Sequence, residues 1–68
     1  MATLTYNIGI LYRSEFRKML EKAQDIGYLV DFHEDKNLFA SIFTLNGSKE
    51  NLEKIKQHTS MWNWEPIS

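Results

Sequence analysis

Leu38-Phe39-Ala40-Ser41-Ile42-Phe43-Thr44-Leu45 is the stretch on which the fold turns. Its aromatic and β-branched residues make it a strand. Alternation puts Leu38, Ala40 and Ile42 on one face and Phe39, Phe43 and Leu45 on the other, so both faces are apolar. A strand covered on one side only alternates apolar with polar residues. A two-sided apolar strand either sits in the middle of its sheet with its outer face partly covered, or presents an apolar patch to a partner.

Before it, Glu34-Asp35-Lys36-Asn37 is a polar turn. Residues 28–33 form the preceding strand, with Tyr28, Val30 and Phe32 on one side and Leu29, Asp31 and His33 on the other. The short connection makes the two strands a hairpin. Residues 14–26 read as a helix, because Phe16, Met19, Leu20, Ala23 and Ile26 recur at three- and four-residue steps. Ser14 is the expected N-cap and Gly27 the left-handed residue after the helix end. Arg17, Lys18, Glu21, Lys22 and Asp25 make a solvated face, with Arg17 and Glu21 an i,i+4 pair. Residues 3–12 are a strand whose apolar face is Leu4, Tyr6, Ile8, Ile10 and Tyr12.

After it, Asn46-Gly47-Ser48 leads into a helix from about Lys49 to Thr59, capped by Ser48. Its apolar stripe is thin, Leu52 and Ile55. The tail Met61-Trp62-Asn63-Trp64-Glu65-Pro66-Ile67-Ser68 places Trp62 and Trp64 on one face of a short edge strand stopped by Pro66. The order is then βαββαβ: an α+β two-layer sandwich, ferredoxin-like, with a four-stranded antiparallel sheet and both helices on one face. If the tail forms no strand, the alternative is a three-stranded βαββα sheet.

The chain has 68 residues, 43% hydrophobic and 25% charged, so residues 1–68 read as one small globular domain with modest stability. It has no cysteine, which removes disulfides, thiolate metal sites and a cysteine nucleophile. A net charge of −1 argues against a general polyanion binder. No basic n-region precedes an apolar run, and no stretch approaches the roughly 20 apolar residues of a membrane span. The expectation is a cytoplasmic protein with no membrane partner.

Chemistry-bearing motifs are few. His33 near Asp31, Glu34 and Asp35 is an incomplete ligand set, better read as a solvated turn, and no metal or cofactor is expected. His58 flanks the second helix's stripe as a boundary residue. Ser14 and Ser48 are better explained as caps than as nucleophiles, and no glycine-rich phosphate loop occurs. The sequence therefore points away from an enzyme. Stacking of Phe39 and Phe43 on single-stranded RNA or DNA is an alternative, disfavoured because the basic residues are interleaved with acids. A small-ligand-sensing dimer is another. The aromatic payload points instead to a non-catalytic protein-interaction module, an accessory, regulatory or inhibitor protein that binds a partner or a second copy as a homodimer. Its expected contact residues are Phe39, Phe43 and Leu45 on the sheet face, Trp62 and Trp64 in the tail, and Leu11 on the first strand's outer side.

Overall fold

A short, uncharged run opens the chain as β1 (Ala2–Gly9), and α1 (Arg13–Asp25), β2 (Asp31–Lys36), β3 (Ala40–Gly47) and α2 (Lys49–Ser60) follow in the computed structural model, which describes residues 1–67. Ser68, the last residue of the tail quoted above, lies outside the described residues. The strands form one antiparallel sheet in the order β1-β3-β2, so β3 is central.

Register settles which residues share a face. Leu4 lies opposite Leu45, Tyr6 opposite Phe43 and Ile8 opposite Ser41, and these side chains face the helices. Phe16 of α1 stands over them, its ring 4.9 Å from both the Tyr6 and the Phe43 ring. From α2, the Thr59 hydroxyl meets the buried Tyr6 hydroxyl at 2.8 Å. Both helices therefore cover the same face. The core of Tyr6, Ile8, Phe16, Leu20, Phe43 and Leu45, closed by Leu29, Leu52 and Ile55, lies between them and the sheet.

One charged group enters this layer. Glu34 of β2 takes a bidentate bond from Arg17 of α1, Nε to Oε1 at 2.5 Å and Nη2 to Oε2 at 2.9 Å, and a third from Ser41 Oγ at 2.7 Å. The guanidinium bond, with help from Ser41, holds the Glu34 carboxyl down at about 2. Arg17 is thus committed across the fold to Glu34, and Glu21 acts on it only as a more distant charge.

Both helices stop in the same way. At α1, Gly27 has φ +90, its N–H reaches Gln24 O, and Tyr28 N–H reaches Ala23 O. At α2, Asn63 has φ 62, its N–H reaches Ser60 O, and Trp64 N–H reaches Thr59 O. This is a Schellman stop, in which a left-handed residue lets the chain fold back on the last free carbonyls.

That second stop explains the main correction to the expected architecture. No fourth strand forms among the described residues. The three-stranded βαββα arrangement is the one observed, and β1 is an edge rather than a central strand. Residues 61–63 are consumed in the turn, and Pro66 has no N–H to give a ladder. The tail lies beside β1 with one backbone bond, Ile67 N–H to Thr5 O at 2.7 Å.

Other boundaries move too. β1 ends at Gly9, so Ile10 and Tyr12 leave the strand and are exposed. Tyr12, not Ser14, is the N-cap of α1, with no side-chain cap bond. β2 starts three residues later than the alternation of Tyr28, Val30 and Phe32 suggests, and turns Phe32 and Glu34 inward. Ser48 caps α2 as expected, its hydroxyl accepting from Asn51 N–H at 3.1 Å.

Candidate functional site

The sheet's open face is not the greasy surface that residues 38–45 suggest. It carries Thr3, Thr5 and Asn7 from β1, Ile42, Thr44 and Asn46 from β3, and Asp31, His33 and Asp35 from β2. One row is bonded across all three strands: Thr3 Oγ1 donates to Asn46 Oδ1 at 3.0 Å, and Asn46 Nδ2 donates to Asp31 Oδ1 at 2.7 Å. Among the described residues the strands put no Phe, Tyr or Trp on this face, so the base-stacking arrangement weighed from Phe39 and Phe43 is not built.

Phe43 and Leu45 are corrected outright. Each is 0% exposed, and Phe43 lies under Phe16. A partner cannot touch them while the domain is folded. The apparent two-sided apolarity of this segment came from Leu38 and Phe39, which belong to a turn ahead of β3 and not to the strand. Trp64 is half-buried, its ring edge-on to Phe16 at 5.1 Å and 83°.

The remaining expected contact residues converge. Leu11 (83% exposed), Phe39 (79%) and Trp62 (63%) come from three separate turns at one end of the sandwich. Strand and helix directions require this. β1 and β2 run toward that end, β3 and α1 leave it, and α2 returns to it.

Each turn has its own cause. Tyr12 N–H bonds Gly9 O at 3.0 Å, closing a tight turn with Ile10 and Leu11 at its corners. In the β2–β3 hairpin, Asn37 N–H bonds Ala40 O at 2.9 Å, leaving Leu38 and Phe39 as a two-residue tip. Such tips ordinarily use positive-φ residues. Here Leu38 and Phe39 have no positive φ, and side chains do the holding. Asn37 Oδ1 accepts from Phe39 N–H at 3.0 Å and Ala40 N–H at 2.9 Å. Arg13 Nη1 donates to Asn37 O at 2.8 Å and Ala40 O at 3.3 Å. Ile10 N–H then bonds Phe39 O at 2.9 Å, lashing the first turn to the second. The third turn is the Schellman stop of α2, which leaves Met61 and Trp62 exposed.

No protein-family model matches the chain, and comparisons with curated proteins and with solved structures found no match.

Sequence reasoning missed Ile10, Tyr12, Leu38 and Met61 as neighbours in this surface. The available signals were Asn37, an Asx-turn former just ahead of Leu38-Phe39, and Asn63, the residue next to glycine in tolerance for the left-handed region. Elsewhere, Met19, Ala23, Ile26 and Ile55 floor a groove of about 430 Å³ between the helices, edged by Lys22, Lys54 and His58. Among the described residues, no group of three or more His, Asp or Glu side chains comes together around a metal position, and no helix is long and apolar enough to cross a membrane.

Proposed function

We propose that the domain is a non-catalytic protein-interaction module that docks a partner protein through the apolar end built by its three turns. One observation carries this reading: Leu11, Phe39 and Trp62 stand exposed on three turns at one end of the sandwich, the first two turns tied by the Ile10 N–H to Phe39 O bond. Turn tips ordinarily carry Gly, Asn, Asp or Ser, whose backbone preferences make the turn. In the hairpin Asn37, Arg13 and the main chain make it, so the turn does not depend on the Leu38 and Phe39 side chains. Large apolar side chains grouped on a surface are characteristic of contact sites, and burying them stabilises a complex by roughly 25 cal/mol per Å². The action is steric: a partner occupied at this end is held or blocked.

The test is a Leu11→Ser/Phe39→Ser double variant of the full chain, compared with wild type in affinity capture from the source cells, light scattering coupled to size exclusion, and thermal melting. The reading expects capture of a partner by wild type, its loss in the variant, and melting changed by no more than the ~0.5 kcal/mol of an ordinary surface substitution. A variant that still captures the partner overturns it, as does one that loses several kcal/mol of stability. Self-association of wild type that the variant abolishes makes the partner a second copy. Binding to lipid vesicles in place of protein refutes the protein partner.

A further inference from the structure

The turn after α2 and the turn after β1 face each other across a groove of about 530 Å³, within the range of small-molecule sites. Tyr12, Trp62, Trp64, Glu15, Asn7 and Asn63 line it, with Ile8 and Gly9 beneath. Three aromatic rings and a carboxylate share this wall, and no Lys, Arg or His does. An aromatic face carries negative quadrupole density, and the carboxylate adds a full negative charge. The amide carbonyls of Asn7 and Asn63 are further acceptors. The only charged side chain of the groove and its aromatic faces therefore favour a cation.

The two indoles are held before any ligand arrives. Trp64 is braced edge-on by Phe16 at 5.1 Å. Trp62 stacks on Trp64 with centroids 6.4 Å apart and planes 27° from parallel. Both backbones are pinned to Thr59 O, Trp62 N–H at 3.0 Å and Trp64 N–H at 3.0 Å. Asn63, between them, has a left-handed backbone, and both indoles line the groove. Side chains fixed in this way lose little freedom on binding.

We propose that this groove binds a quaternary ammonium group. A compact primary ammonium is strongly hydrated and gives up water at high cost, whereas a methylated ammonium spreads its charge over carbon and sheds water easily, which suits it to aromatic walls. The inter-helix groove with its Lys22, Lys54 and His58 edge is the electrostatic opposite and repels such a group. Two sources share the chemistry: a trimethylated lysine side chain and a choline headgroup. The phosphate of phosphocholine meets the Glu15 carboxylate and no basic side chain in the groove, so trimethyllysine binds the more tightly.

The experiment titrates the full chain with choline, phosphocholine and N-acetyl-trimethyllysine amide, following tryptophan fluorescence and the two indole N–H resonances. The neutral control is 3,3-dimethylbutanol, which has choline's shape without its charge. Saturable binding is expected for the cations, in the millimolar range usual for so small a ligand, with the alcohol at least about tenfold weaker. Trp62→Ala weakens choline about tenfold, and Trp64 remains as reporter. Glu15→Gln weakens it severalfold, and Lys54→Ala leaves it unchanged. Trp62 and Glu15 are both exposed, so their variants keep the fold, which near-ultraviolet dichroism checks. Equal binding of the alcohol overturns the proposal, as does the absence of any saturable response. Tighter binding of N-acetyl-trimethyllysine amide than of phosphocholine supports trimethyllysine as the source, and the reverse order overturns that choice in favour of a choline headgroup. Leu11 and Phe39 lie outside the groove, so the Leu11→Ser/Phe39→Ser variant retains choline binding and the two proposals fail separately.

Discussion

Phe43→Ala and Phe39→Ala delete the same ring four residues apart, and the fold predicts opposite outcomes. Phe43 is fully buried, its ring 4.9 Å from Phe16, which also meets Tyr6 at 4.9 Å. Truncating a buried phenylalanine costs about 3–5 kcal/mol, the sum of lost transfer energy and an unfilled cavity. A domain of 68 residues has roughly 3–10 kcal/mol in total at 0.05–0.15 kcal/mol per residue. Phe43→Ala therefore lowers the melting temperature by tens of degrees or leaves the chain unfolded. A Phe43→Leu variant, which keeps most of the volume, measures the partial loss if the alanine form does not fold. Phe39 is 79% exposed at a hairpin tip, and Phe39→Ala stays within about 0.5 kcal/mol of wild type. Urea denaturation followed by tryptophan fluorescence reads both, with the slope checking that a two-state transition is retained. If Phe43→Ala unfolds within 1 kcal/mol of wild type, the assignment of β3's inner face is wrong, and with it the correction of the contact surface.

Three further predictions follow from the polar links. Glu34 has its carboxyl at about 2 in the fold against an ordinary 4.5, so its pair with Arg17 stabilises fully above about pH 4.5 and is lost as pH falls toward 2. Arg17 is partly open to solvent, which weakens the pair, and Glu34→Gln should flatten the stability profile between those pH values. Thr59→Val strands the buried Tyr6 hydroxyl and should cost about 1–3 kcal/mol; Tyr6→Phe should cost less, because Thr59 keeps its bond to Lys56 O, and a double-mutant cycle by denaturation checks the coupling. Asn63→Val forces a β-branched residue into φ 62 and should lower stability by about 1–2 kcal/mol in thermal melts, whereas Asn63→Gly should be neutral or stabilising.

The helices were largely legible because their signals are local. The Ser48 cap, the Gly27 stop and the stripe Phe16, Met19, Leu20 and Ala23 each depend on neighbours within a turn or two and stand as read, whereas Ile26, the last residue of the expected stripe, lies past the helix end and is exposed. The strands were less legible because their inward positions are settled at long range. Glu34 sits on the inner face only because Arg17 and Ser41 receive it, and alternation of apolar residues cannot register a charge on the buried side. Leu38 and Phe39 look like strand residues. They become a turn through the Asn37 side chain and through Arg13, a residue 24 positions away. The contact site divided along the same line. Leu11, Phe39 and Trp62 were identifiable as apolar residues in excess of the core, but Phe43 and Leu45 were counted with them until register showed which side of the sheet they occupy.

The place of β3 sets the order in which the molecule can be made. Its two flanking strands touch no other strand, so a nascent chain holds no sheet at all until Ala40–Gly47 has left the ribosome. During that interval β1, with no charged residue, waits unpaired beside a half-formed α1. Tyr6 gains its hydroxyl partner only when Thr59, 53 residues further along, has emerged as well. The sheet therefore forms all at once when β3 is available, and slow translation up to Gly47 prolongs exposure of a strand well suited to sticking to its neighbours.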